Sequence, residues 1–544
     1  MHDILTQDKD KKAANTNPAL VGIEDARALV VDVNPTSRSI LRSMLIDLGL
    51  KSDRVKQVGR YVDARTELEN AQYDIVLCDY HFIDTHQTAT DLLDELRQGQ
   101  HLPYSTVFVM VTSEATYAKV AEAAESALDS YLLKPHTHNE LVQRLSVARH
   151  RKMVLADIFQ ALQEEDYALA AELCQTRFAE RGECWVYAAR IGGEILLRLN
   201  RHDEAKTLFE AIDSTKALPW ARLGVARAQM ESGQLTPARR TLESLIVDNP
   251  TYADAYDVMG RAQFQSGDFE DAYATYQHAV SLTPSSLSRL QKMGMLAFHL
   301  GKTEEASKVL ERAVALGSTS RMFDFQSLVL LALHHFQAED SKSLHKCLTQ
   351  LQKAYERAPR SARLRRMHEL VNVLSLMQQR QVAEVVRRIK GMTREFGMAD
   401  YDFEAASNML SLLLKLRESE LDPQDAELWI SKLSQRFCIS KAMTDMLCMM
   451  VRQHEPYETL VRDAYHLVGK LAEQALGLGK SGRPHDAVEL LLKHGQTSGN
   501  TKLIDLAEMV LKRYAEQLND PDLTQRVNDL KAKYGPRAVG KPAR

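Results

Sequence analysis

Along the first 150 residues, short apolar runs alternate with stretches whose apolar positions recur at helical spacing. Ala28 to Val33 reads as a first strand, interrupted by Asp32. Pro35 then opens a helix in which Ile40, Leu41, Met44, Leu45 and Leu48 repeat until Gly49 ends it. Val55 to Val58, Ile75 to Cys78, Thr106 to Val111 and Ser130 to Leu133 give four more strands. Helices are expected over Val62 to Asn70, around Leu92 to Leu96 and over Thr116 to Ser126. Five strands alternating with helices predict an α/β fold, a doubly wound parallel sheet. The third run, in YDIVLCDY, stops at an acid, Asp79. A carboxylate at the end of such a strand lies in the crevice where these sheets bind and react, so Asp79 is a candidate site residue.

From Asn139 to Leu162 the pattern predicts one uninterrupted amphipathic helix leading into the next domain. Then the chain repeats itself. Gly233, Gly267 and Gly301 lie 34 residues apart, as do Gly260 and Gly294, Ala238, Ala272 and Ala306, and Pro250 and Pro284. Asn200 and Ala205 keep the frame one residue short, and Asp166 and Ala171 extend it. This resembles the tetratricopeptide repeat, a pair of antiparallel helices of that length. Small residues such as Gly260 would let the paired helices approach, with Tyr276 and Leu310 filling the gap. Units are expected at 152–184, 186–218, 219–252, 253–286 and 287–320. Beyond Arg321 the period blurs while helices continue over Leu328 to Phe336, Leu344 to Ala358, Leu364 to Gln378, Val382 to Phe396, Phe403 to Leu416, Leu428 to Phe437 and Val468 to Leu478. The expected organisation is a disordered segment over 1–24, an α/β domain over 25–150, regular repeats over 151–320, an irregular helical repeat region over 321–534, and a basic disordered tail over 535–544. Together the repeats make an all-α solenoid.

Composition narrows the function. With 69 basic against 73 acidic side chains among 544 residues, no field for nucleic acid or an anionic membrane is expected. No apolar run approaches the ~18 residues of a spanning helix, and the N-terminus lacks a signal peptide's apolar core. The six cysteines form no CxxC pair. A cytoplasmic protein with reduced, mostly buried thiols is expected.

LVVDVNPTSRSILRSML, YDIVLCDY, VFVMVTSEA and YLLKP, in this order, resemble the receiver domain of bacterial two-component response regulators, the CheY-like fold, over residues 26 to 150. The resemblance implies phosphorylation at Asp79, an acid pocket with Asp32, switch residues Thr112 and Tyr131, and Lys134 pairing with the phosphoryl group. It also implies Mg²⁺ held by Asp79, the backbone carbonyl of His81 and, indirectly, Asp32. Acyl phosphate chemistry requires these types: a carboxylate nucleophile, a hard cation, and a hydroxyl and an ammonium for the added charge. Two departures stand out. Where receivers carry a second acid this chain has Val33, which weakens or removes the cation site, although Asn34 could offer a neutral oxygen. The residues after the acceptor are Phe82-Ile83, followed by DTHQTATDLL.

The combined resemblance implies a response regulator whose output is binding through the repeats, with a peptide or helix in the solenoid's concave face. A histidine kinase or another regulator is the implied partner, as for auxiliary regulators of the VieB type. A homodimer is a candidate assembly. No catalytic motif follows residue 150, so the chain is not expected to be an enzyme. The alternative is a phosphorylation-independent scaffold or adaptor that uses a degenerate receiver as a docking module.

Other patterns are weaker. His466 sits before Gly469-Lys470 on a helix pattern, and His334, His335 and His345 lack partners at metal-ligand spacing. Met443, Met446, Met449 and Met450 form a stripe at helical spacing, expected as core. Arg363, Arg365, Arg366, Arg387 and Arg388 form short basic clusters, expected as solvated faces or, on a concave surface, as a seat for an acidic partner.

Overall fold

The computed structural model describes residues 22–82, 88–113, 129–318, 320, 322–421, 423–518 and 520–535. Strands β1 (Ala28–Val31), β2 (Val55–Val58), β3 (Ile75–Asp79), β4 (Val107–Thr112) and β5 (Ser130–Leu133) pair in parallel in the order β2-β1-β3-β4-β5. Their alternate residues feed two cores, as the period of two requires. Leu29, Val31, Val76, Cys78, Phe108 and Met110 face α2 (Tyr61–Asn70) and α3 (Ala89–Gln98). Ala28, Val30, Ile75, Leu77, Val109 and Val111 face α1 (Pro35–Asp47) and α4 (His138–Val154). Burial on both faces is why these strands read as continuous apolar runs.

The structure moves two expected boundaries. The segment expected to be disordered through residue 24 is ordered from Gly22: Ile23 begins a short 3₁₀ turn and is buried in the second core. The single helix expected from Asn139 to Leu162 is broken at Leu155, whose φ of −108° and ψ of 23° leave the helical region. Leu155 is fully buried and turns α5 (Ala156–Gln163) onto the core of the first repeats. Neither proline nor glycine marks this bend; packing sets it. The expected helix at Thr116 to Ser126, residues 1–21, Ile83 to Gln87 of the loop after the acceptor, and 536–544 of the tail lie outside the described residues.

Helices then pair: α5 with α6 (Tyr167–Ala179), α7 (Trp185–Arg198) with α8 (His202–Lys216), α9 (Pro219–Glu231) with α10 (Leu235–Asp248), α11 (Ala253–Ser266) with α12 (Phe269–Leu282), and α13 (Leu287–His299) with α14 (Thr303–Gly317). The recurring glycines are the turns between partners. Gly233, Gly267 and Gly301 have φ of 78°, 87° and 79°, a left-handed conformation that glycine adopts without a Cβ clash. Glu165 and Asn200 take the same conformation in the earlier pairs. The small residues inside the first helices act as expected. A Cβ on Gly260 would stand 2.8 Å from Tyr276, and one on Gly294 2.6 Å from Leu310. Phe209 is held the same way between Gly193 and Gly224.

By contacts the chain divides into two compact units: residues through 259 with 278–286 and 316–323, and residues 260–277, 287–315 and 324 onward. In the second unit α15 (Gln326–Gln337), α16 (Ser341–Arg357), α17 (Ala362–Gln378), α18 (Val382–Thr393), α19 (Phe403–Glu418), α20 (Ala426–Phe437) and α21 (Lys441–Val451) follow. The long α22 (Glu455–Lys480), α23 (Pro484–Ser498), α24 (Thr501–Arg513), α25 (Ala515–Leu518) and α26 (Pro521–Tyr534) complete the chain's described helices.

The first helices of this stretch lean together: α15 touches α17, and α17 touches α19. Every residue from Gln326 to Leu333 and from Ala406 to Leu416 is buried, so α15 and α19 are covered all round. Gln326 and Asn408 exchange two amide hydrogen bonds, 2.7 and 2.8 Å, inside this packing. These two helices are therefore packed within the second unit. The Met stripe is mainly core: Met446 and Met450 are buried on α21, and Met450 Sδ lies 3.2 Å from His299 Nδ1.

Candidate functional site: an acidic pocket at the end of the sheet

The strand order reverses direction between β1 and β3, and the crevice beyond their carboxyl ends is where such a sheet presents a site. Asp79 closes β3 and Asp32 directly follows β1, whose last residue Val31 is in register with Cys78. Lys134 follows β5, with its N–H donating to the Thr112 carbonyl oxygen at 2.7 Å. Three strand ends thus bring together three charges that lie far apart in sequence. The Lys134 Nζ donates to Asp32 Oδ2 at 2.7 Å and to Asp79 Oδ2 at 2.9 Å.

Asp32 is completely buried. Its Oδ1 accepts the Asn34 N–H at 2.8 Å, and its Oδ2 also accepts the Ser37 hydroxyl at 2.5 Å. Burial opposes its charge, but the hydrogen bonds from Lys134, Ser37 and Asn34 outweigh it and hold the carboxyl below its ordinary range. Burial pushes Asp79 the other way, against the Lys134 hydrogen bond and with the Asp32 charge adding to the rise. Burial also opposes the charge on Lys134, yet its two carboxylate partners keep the ammonium's pKa raised. The environment thereby shifts the two acids in opposite directions.

Around this triad, Thr112 ends β4 and is buried, and Tyr131 on β5 is half-buried with the Arg144 guanidinium 5.2 Å over its ring. His81 is exposed beyond β3, bridged to Thr88. Ser37 and Arg38 were not among the sequence candidates. Arg38 Nη1 donates to the carbonyl oxygens of Asp32 and, at 3.1 Å, Val33. PTSRS offers several polar side chains in the first turn of α1, and only the cap geometry selects Ser37. Asn34 caps this helix, its Oδ1 accepting the N–H groups of Thr36 and Ser37 at 2.9 and 3.3 Å. That correction removes Asn34 as the spare ligand oxygen.

The response regulator receiver domain family matches residues 28–146, and tetratricopeptide repeat families match 196–262 and 253–286. The chain carries a receiver domain followed by tetratricopeptide repeats. The receiver is similar to chemotaxis protein CheY-3 of Vibrio cholerae serotype O1, 29% identical over 122 residues, which are 22% of this chain and 90% of that protein. It is also 29% identical over 119 residues to chemotaxis protein CheY of Pseudomonas aeruginosa, covering 22% of this chain and 92% of that one. Among solved structures, a thermophilic TPR protein of Thermus thermophilus, TTC0263, is 26% identical, covers 33% of this chain and 94% of its own, and superposes with a TM-score of 0.26. YrrB, a TPR protein with an unusual peptide-binding site, is 18% identical over 40% of this chain and 95% of its own, with a TM-score of 0.23.

Receiver domains generally bind Mg²⁺ at this acid pocket. The donors at the end of β1 are already engaged within the chain. Mg²⁺ requires near-octahedral oxygen ligation. Val33 is half-buried against the α2–α3 core, Asn34 is engaged as a helix cap, and Asp32 already accepts three hydrogen bonds. Among the described residues no group of three or more His, Cys, Asp or Glu side chains could hold a metal ion.

The remaining candidates disperse. His466 is exposed on α22. The arginine clusters are engaged within the chain: Arg363 with Glu404 and Asp324, Arg365 with Glu395, Arg366 with Glu395 and Asp400, and Arg388 with Glu369 and Glu384. Arg387 pairs with Glu384. Arg366 is largely buried in its pairs, whereas Arg363, Arg365 and Arg387 are paired on a solvated face, as expected. Among the described residues no helix is long and apolar enough to cross a membrane.

Proposed function

We propose that the chain is a cytoplasmic two-component response regulator whose receiver controls a protein-binding repeat domain, with Asp79 as phosphoryl acceptor. The observation that carries this is the Lys134 ammonium held between Asp32 and Asp79 at the end of the sheet. An Asp79 carboxylate oxygen attacks the phosphorus of a phosphohistidine or acyl phosphate donor. The bond from that phosphorus to the donor's nitrogen or oxygen breaks, and the donor departs with the electron pair. Lys134 is placed to neutralise the charge gained, Thr112 ends the adjoining strand β4, and Tyr131 lies two residues before the end of β5. The partners in this reading are a sensor kinase or another regulator, the output is stoichiometric rather than catalytic, and the repeats bind a peptide or helix.

A route from pocket to repeats supports the reading. The helix α4 that follows Lys134 continues past the sheet, and its Lys152 lies 3.0 Å from Asp129, the residue before β5. Lys152 also donates to the Tyr104 carbonyl at 2.6 Å, and the Arg151 guanidinium lies 4.4 Å over the ring of Tyr187 on α7. A shift of β5 would thus be felt at the first repeats without a flexible linker. The test is incubation of the full chain with acetyl phosphate beside Asp79→Ala, scored on a phosphate-affinity gel. A shifted band absent from Asp79→Ala is expected. Equal bands in both proteins, or none in either, would reject Asp79 as acceptor and leave the phosphate-independent adaptor.

A further inference from the structure

We infer that this receiver's acid pocket is closed by the chain's own groups and binds no divalent cation, with Arg38 and Ser37 as positioning residues. The inference rests on reading the triad as a receiver pocket. Its strength lies in how completely the end of β1 is occupied. A carboxylate offers about four lone-pair sites. Asp32 spends three of them on the Asn34 N–H, the Ser37 hydroxyl and Lys134. A metal at Asp32 would find about one site left, on a carboxylate already crowded by these three donors.

The backbone is occupied too. Arg38 lays its guanidinium on the carbonyl oxygens of Asp32 and Val33, so a fixed cation stands beside the strand end. The fold makes room for it at Gly59, where a Cβ would lie 2.6 Å from Arg38 Nη1. Val33 sends no oxygen into the pocket, and Asn34 holds the start of α1. The charge balance agrees. Asp32 and Asp79 carry two negative charges and Lys134 one positive, leaving a deficit that a second acid would double and that the neighbouring Arg38 reduces further. A reluctantly dehydrating ion such as Mg²⁺ gains little from such a site.

Titrating the full chain with Mg²⁺ in a calorimeter tests this, with Asp79→Asn as control and the double variant Val33→Asp, Arg38→Met alongside. Wild type is expected to show no saturable heat up to millimolar Mg²⁺, and the double variant to gain a saturable site. Saturable binding by wild type that Asp79→Asn abolishes would overturn the inference. So would a double variant that keeps its far-ultraviolet circular dichroism yet binds no better than wild type. Acetyl phosphate labelling run with Mg²⁺ and with EDTA separates the two readings. Equal labelling in both, lost in Asp79→Asn, supports a cation-free acceptor. Labelling that needs Mg²⁺ overturns the inference while keeping the acceptor. No labelling in any condition removes the acceptor reading, and the calorimetry still decides the cation site.

Discussion

Lys152 points its ammonium at Asp129 across the boundary between receiver and repeats, 3.0 Å from Oδ1, and neither side chain is more than slightly exposed. Asp129 also accepts the Phe108 N–H at 2.9 Å, and Arg151 donates to its carbonyl oxygen. Removing one member of a buried pair strands the other charge, which costs about 3–5 kcal/mol. Lys152→Met is therefore expected to destabilise the first unit by that amount in urea unfolding. Lys152→Met combined with Asp129→Asn should recover a large part, since no charge is then left buried.

Phe209 between Gly193 and Gly224 gives a second prediction. A Cβ at Gly193 would collide with the Phe209 ring, and one at Gly224 would lie 2.6 Å from it. Alanine is the better helix former by about 0.8–1 kcal/mol, but overpacking costs about 1–3 kcal/mol, so sterics decide. Gly193→Ala should lower stability, and Gly193→Ala with Phe209→Leu should lose less than the two single changes summed. Denaturation midpoints of the four proteins check this.

The amide pair Gln326–Asn408 is expected to specify how α15 and α19 pack. Gln326→Leu leaves the Asn408 amide buried without its partner, a loss of about 1–3 kcal/mol, whereas both residues changed to leucine should cost less than either alone. A double-mutant cycle in urea gives the coupling directly.

His299 makes stability pH-dependent. Burial pushes its pKa down to about 4, from an ordinary value near 6.5. The unfolded chain takes up the proton first, so stability is full above about 6.5, falls as pH drops toward 4, and is flat in this respect below that. His299→Leu should flatten that window. Urea midpoints measured across it, for wild type and variant, give the comparison.

Much of the architecture is written locally. Buried parallel strands need apolar runs on both faces, which is why β1, β3 and β4 stand out, and why the acids at their ends could be named from Asp32 and Asp79 outward. The repeat period was visible where a left-handed turn is made by glycine, at Gly233, Gly267 and Gly301. Beyond residue 321 the same conformation recurs at Glu339, Arg380 and Glu420, at φ of 55°, 58° and 59°. At these three turns the conformation persists without its glycine mark, which returns at Gly482 (φ 76°), so the period blurs between while the helices remain legible.

What the sequence determined by itself was therefore the set of elements, their order and the chemical types at the strand ends, because periodicity and turn chemistry act over a few residues. Tertiary structure decided the rest, because it depends on which groups meet across long separations. It turned Asn34 into a cap and Ser37 toward Asp32, laid Arg38 against Gly59, bent the chain at Leu155 through burial alone, and buried α15 and α19 among neighbouring helices. A one-dimensional pattern records that a residue is polar or apolar. The partner that satisfies it is set by the fold.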